Sequence, residues 1–169
     1  DSSLNIDASQ DIDILSLMGI GRIFKKLDRW KESAQTFERI LREYPENQYM
    51  KSVCLALSEI YFLQGKTRDS ALFAEKALKY AGYREKTDIL IRVAEIYEEI
   101  DETHALNIYS MIFNNNKNTR RQITEALLKY GNLSYRTGDR ESAVKAYASI
   151  ISSNADSSAV RKAKEKLAF

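Results

Sequence analysis

One cysteine, Cys54, and one histidine, His104, are the whole supply of thiol and imidazole chemistry in this sequence. A nucleophilic pair needs the two side chains within hydrogen-bond reach, and these two fall at different levels of the repeat pattern set out below. Cys54 takes the place of a large apolar residue inside a helix, and His104 falls at a turn. The expected roles are buried packing for the thiol and surface exposure for the imidazole. With one His and one Cys, a Cys/His zinc site within the chain is excluded, and no glycine-rich phosphate loop occurs. No catalytic residue, metal site or cofactor is therefore expected. Carboxylates are more plentiful, with Glu59, Glu95, Glu98 and Glu99 at related helix positions. General acid–base catalysis needs a closed pocket that shifts their proton affinities, and nothing in the pattern marks one.

The bulk composition agrees with a binding role. Lys and Arg number 26 against 24 Asp and Glu, a net charge of +2, which lacks the basic excess of a dedicated nucleic-acid binder. Hydrophobic residues make up 44% and charged residues 30% of the 169, enough for a packed core in one domain. No run approaches the roughly 20 apolar residues of a membrane-spanning helix, so direct membrane insertion by this segment is not expected. The chain begins with Asp rather than Met, which points to processing and leaves a lost signal peptide or lipid anchor open. Pro45 is the single proline, and since proline breaks helix interiors, a nearly all-helical chain is expected.

The elements that carry these residues repeat. Ser33, Ser70, Ala105 and Ala143 are each followed four residues later by Phe37, Ala74, Tyr109 or Tyr147, and three further on by Ile40, Ala77, Ile112 or Ile150. Steps of three and four put these side chains on one helical face, and the small residues lie 37, 35 and 38 apart. Upstream of each lies a partner helix with a small residue of its own. Gly21, Ser58, Ala94 and Gly131 follow the apolar Ile20, Leu57, Val93 and Tyr130, with Leu17, Cys54, Leu90 and Leu127 three residues before those. Phe24, Tyr61 and Tyr97 come three residues after the small position; the fourth copy has Ser134 there, beside Tyr135. Leu27-Asp28, Gln64-Gly65, Ile100-Asp101 and Thr137-Gly138 lie between the paired helices, and Gly or Asp there suits a left-handed helix end.

The spacing predicts helical hairpins whose small residues let the two helices approach closely. One hairpin cannot bury its own apolar stripe, so neighbours stack and share a core. The repeats are placed at 12–46, 48–82, 87–116 and 120–154 within a single domain 1–169. A capping helix follows at 157–168, its apolar stripe of Ala159, Ala163 and Leu167 set among cations. Helices are expected at roughly 30–43, 48–64, 68–81, 87–99, 103–113, 120–136 and 140–153, with a first helix capped by Asp7 or Ser9 and ending near Lys26. Trp30 is expected to pack on the first hairpin turn, and Asn114 to Thr119 to form a loop able to cap the next helix.

Leu17-x-x-Ile20-Gly21-x-x-Phe24, with Ser33-x-x-x-Phe37 and Pro45, resembles the tetratricopeptide repeat signature, as do Tyr130-Gly131-Asn132-Leu133 and Ala143-x-x-x-Tyr147. The resemblance implies an all-α, right-handed superhelical solenoid of helical hairpins. A narrower similarity lies in Arg42 to Tyr49 and in the close from Asn154 to Ala159. Both look like the tetratricopeptide domains of periplasmic, outer-membrane-lipoprotein-type proteins and cell-division coordinators, which implies a bacterial cell-envelope setting, with the cytoplasm left open.

Carrying the family geometry over, the first helix of each hairpin faces a groove. That implies a partner-binding surface of Arg22, Lys25 and Lys26, then Glu59, Phe62 and Leu63, then Arg92, Glu95, Glu98 and Glu99, then Lys129, Asn132, Tyr135 and Arg136. Met18 and Ile91 are placed on the same face, and Glu59 and Glu95 are expected to form a ladder one repeat apart. Chaperone-binding members grip a terminal carboxylate with Lys and Asn where Met18, Arg22 and Ala56 stand here, so that role is not expected. The expected function is a protein–protein interaction scaffold binding a peptide or partner protein. A regulatory or substrate-recruiting module of a larger enzyme and self-association through terminal helices are the alternatives.

Overall fold

The computed structural model describes residues 2–153, 155 and 157–168, with side chains described from residue 9 onward. Nine helices make up the described residues, with no strand among them: α1 Ser2–Lys26, α2 Trp30–Glu43, α3 Met50–Leu63, α4 Thr67–Lys79, α5 Tyr83–Tyr97, α6 Glu102–Phe113, α7 Arg120–Arg136, α8 Arg140–Ser152 and α9 Ser157–Leu167. They fall into two compact units, Asp1–Gly82 with α1–α4 and Tyr83–Phe169 with α5–α9.

Two helix starts differ from expectation. Because α1 begins at Ser2, positions 7 and 9 lie inside it and neither caps its start; the Asp7 side chain is outside the described residues, as are Asn154 and Asp156. No Gly or Pro interrupts residues 2–12, so nothing stops the helix from extending upstream. Helix α5 likewise begins at Tyr83 rather than near 87.

In the first unit, α1 packs on α2, α2 on α3, and α3 on α4. The core gathers Ile14 and Met18 of α1, Ala34, Phe37 and Ile40 of α2, and Val53, Leu57 and Ile60 of α3. Trp30 packs half-buried against this cluster. The helices of the first hairpin cross where Ser33 Oγ donates to the Gly21 carbonyl at 2.7 Å. A Cβ built on Gly21 would lie 2.6 Å from the Phe37 ring, so only glycine admits the ring. Ser70 Oγ donates to the Ser58 carbonyl at 2.8 Å in the second hairpin.

The second unit repeats the plan. Contacts run from α5 to α6, α6 to α7, α7 to α8 and α8 to α9. Ala94 and Ala105 are both fully buried, and at Gly131 an added Cβ would lie 2.8 Å from the Tyr147 ring. Helix α9 buries Ala159 and Ala163 against Ala146, Tyr147 and Ile150 of α8. Ser134, which stands where the other copies have an aromatic, is buried, while Tyr135 points out and is 51% exposed.

Three of the four hairpin turns use the left-handed region, at Asp28 (φ 56°), Gly65 (φ 72°) and Gly138 (φ 91°). The third, one residue shorter, does not: Asp101 is extended and its side chain caps α6 by accepting from the His104 N–H at 3.0 Å. At the start of α7, Thr119 and Gln122 exchange side-chain and backbone hydrogen bonds in a capping box. Just upstream, Asn118 Nδ2 donates to the Ile112 carbonyl at 2.7 Å while Asn118 Oδ1 accepts from Thr87 Oγ1 at 2.8 Å, which ties the Asn-rich loop to both α5 and α6.

Candidate functional site

Cys54 is buried in the first unit and His104 is exposed in the second. The thiol is 1% exposed in α3, and burial pushes its pKa up, away from the thiolate that a nucleophile requires. His104 is exposed at the start of α6, with its ring edge-on to Tyr97 at 4.4 Å between centroids. Among the described residues no group of three or more His, Cys, Asp or Glu is placed to hold a metal, and no helix is long and apolar enough to cross a membrane.

Three carboxylates of the expected groove, Glu59, Glu95 and Glu98, are taken up by ion pairs. In the first unit Lys25 Nζ of α1 reaches Glu59 Oε2 of α3 at 2.8 Å. In the second, three pairs join α7 to α5 and to Glu98 just past its end. Asp88 accepts from Arg121 at 2.9 Å and from Gln122 at 3.0 Å, Glu95 pairs with Lys129, and Glu98 accepts from Arg136 at 2.9 Å and from the Tyr109 hydroxyl at 2.7 Å. Burial, with the Glu98 carboxylate second, raises the Tyr109 pKa far above its ordinary value. Glu59 and Glu95 thus each have a cation within their own unit.

Two residues assigned to the groove are core instead. Met18 is 3% and Ile91 4% exposed, so the buried side of α1 and of α5 takes in positions beside the stripe that the sequence suggests. Arg22, Lys26, Phe62 and Leu63 are exposed in the first unit, and Arg92, Glu99, Asn132, Tyr135 and Arg136 in the second. Asn132 Oδ1 accepts from the Tyr147 hydroxyl at 2.9 Å, which fixes it at the edge of α7.

A cleft of about 440 Å³ lies between α7 and α9. Thr124, Leu128 and Ala159 form its less polar floor, Lys129 and Asn132 one wall, and Lys162, Glu165 and Lys166 the other. Glu165 faces Arg161 at 3.8 Å, whereas Lys162 and Lys166 have no ion pair among the described residues. The cleft therefore offers an apolar seat beside uncompensated cations. Sequence reading supplied Lys129 and Asn132 but took α9 as a cap alone. The available signal was Lys162 and Lys166 four residues apart, beside the Ala159–Ala163 stripe.

Helical hairpins with a glycine or small residue at each crossing, stacked on neighbours through alternate helices, define a helical-hairpin repeat protein. Residues 15–47 and 125–157, a first and a fourth copy, match the tetratricopeptide repeat model. Solved structures agree at the level of fold. A tetratricopeptide repeat protein from Parabacteroides merdae ATCC 43184 superposes with a TM-score of 0.71 at 23% identity, over 89% of this chain and 57% of that one. MamA gives 0.67 at 12% identity, over 98% and 86%. YrrB, a tetratricopeptide protein with an unusual peptide-binding site, gives 0.61 at 12%, over 91% and 75%. The chain thus spans little more than half the length of the P. merdae protein. No curated protein matches the sequence. The fold is an all-α solenoid of the tetratricopeptide type.

Proposed function

We propose that the chain is a non-catalytic interaction module that holds a segment of another protein, with the cleft between α7 and α9 as its principal seat. The observation that carries this is the pairing of an apolar floor, Leu128 and Ala159, with two lysines that no acid within the described residues neutralises. A segment with an apolar anchor and one or more carboxylates complements it. A basic segment is less well matched, since Glu59, Glu95 and Glu98 already have cations. Apolar contact supplies most of the affinity, and charge sets register and encounter rate.

Arg22, Lys26, Phe62 and Leu63 form a second candidate contact in the first unit, with Arg92, Glu99, Tyr135 and Arg136 exposed in the other. The peptide-binding site of YrrB lends this reading fold-level support only. A cell-envelope setting rests on the similarity of Arg42 to Tyr49.

The test is capture of a partner with the whole chain, followed by titration of that partner against wild type and variants. Lys162→Glu with Lys166→Glu weakens binding most at low salt, because screening mutes exposed charges. Leu128→Ala weakens it at every salt concentration. Unchanged binding by both variants, with loss on Phe62→Ala, moves the seat to the first unit.

A further inference from the structure

The faces that α3 and α7 turn toward the preceding hairpin have a counterpart on α1 that no described residue covers. Val53, Leu57 and Ile60 of α3 are fully buried in the core that includes Phe37 and Ile40 of α2. Ala126 and Leu133 hold the same register in α7, where α6 packs, and are equally buried. The matching positions of α1 are Ser16, Ile20 and Ile23. There Ile20 is 45% and Ile23 58% exposed, and Ile12, Leu15 and Leu27 extend the apolar face at half exposure or more.

Gly19 sits at the middle of this face, between Ile12 and Leu27. Glycine weakens a helix interior, and at Gly21 and Gly131 a packed aromatic ring explains it. At Gly19 an added Cβ would meet nothing within 4 Å, so no contact among the described residues calls for glycine. A helix from outside, crossing at close range, does. The charge order of α1 reverses about the same midpoint. Asp11 and Asp13 lie before it, hydrogen-bonded to the neutral Gln48 at 2.8 Å and Tyr44 at 3.4 Å; Arg22, Lys25 and Lys26 lie after it, and among the described residues only Lys25 of these is ion-paired, to Glu59. A surface whose apolar stripe and charge order are both arranged about its own centre is complementary to itself under a two-fold axis.

We propose that α1 is a self-association surface on which a second copy of this chain packs its own α1 antiparallel, crossing at Gly19. Antiparallel pairing sets acidic halves against basic halves; parallel pairing sets like against like. This surface is separate from the cleft between α7 and α9, so the two proposals stand or fall independently.

Sedimentation equilibrium of the whole chain tests it. The expected mass is twice the 19.4 kDa of one chain, shifting toward one chain on dilution. Ile20→Glu with Ile23→Glu gives a monomer with unchanged helical circular dichroism, since both side chains are exposed. Gly19→Leu weakens the dimer by about tenfold or more while leaving helix content equal or higher. That combination separates a lost crossing from a lost fold. Geometry is read by cross-linking: Gly19→Cys forms a disulfide-linked dimer under mild oxidation. Ile12→Cys does not, because at 1.5 Å rise per residue its mate lies roughly 20 Å away. A monomer at every concentration, equal cross-linking at both positions, or an undiminished Gly19→Leu dimer overturns the proposal and assigns the face to a different polypeptide.

Discussion

Phe37 over Gly21 and Tyr147 over Gly131 are the contacts on which the hairpins close, and they set the largest single-residue effects. Gly131→Leu forces a branched side chain into a space already 2.8 Å from a ring carbon. The expected loss is about 1–3 kcal/mol or more, read as a lowered thermal midpoint. An exposed ion pair such as Lys25–Glu59 is worth only about 0–1 kcal/mol, so Lys25→Ala is expected to move the midpoint far less. Tyr109 supplies a pH signature. Its folded pKa is raised, first by burial and then by Glu98, from an ordinary 10.0. Above that ordinary value the unfolded chain releases the proton while the folded chain keeps it, so stability falls as pH rises past about 10. The stability advantage of wild type over Tyr109→Phe shrinks across that range, and paired denaturant titrations at stepped pH measure it. The small residues at the crossings were legible because Gly and Ser recur at one spacing. Met18 and Ile91 were not, since a 100° step per residue leaves neighbouring positions on the rim of a face hard to assign by pattern.

At the scale of elements, helix ends were legible where the chain carries a stop or a cap. Helix α2 begins at Trp30 and α7 spans Arg120–Arg136 as expected, with the Asn-rich loop and Thr119 setting the α7 start. Thr119→Ala removes the side-chain half of that cap and is expected to cost about 1 kcal/mol, visible as earlier fraying of α7 in hydrogen exchange. Helix α1 shows the opposite case: without a breaker, its start could not be read. The ion pairs between α5 and α7 were illegible, because a side chain's partner on another helix depends on stacking register. They change what a charge reversal tests. Glu95→Lys with Glu98→Lys sets like charges against Lys129 and Arg136, so it loosens α5 from α7 as well as altering the surface. Reduced thermal stability of that double variant, with Glu99→Lys unaffected, is the expected result.

Within each unit every helix contacts its neighbours in sequence, and stability in such arrays is a sum over nearest-neighbour interfaces. Trp30, the single tryptophan, reports the first unit, whereas Gly131 lies in the second. Gly131→Leu is therefore expected to shift the circular dichroism transition more than the Trp30 fluorescence transition; equal shifts would show one cooperative unit. Repeat architecture was legible because it is written four times over. The cleft beside α9 was legible only in part, since that helix occurs once and repetition cannot mark it.

The burial of Cys54 gives the chain an internal clock. A thiol held at 1% exposure and kept protonated by its surroundings reacts with a disulfide reagent only during moments when α3 parts from its neighbours. In the native protein the labelling rate counts those openings, with no denaturant and no engineered probe. Since Cys54 is the only cysteine, every modified molecule records the same event, and slowing of that clock by a bound partner would time how firmly the first unit is held shut.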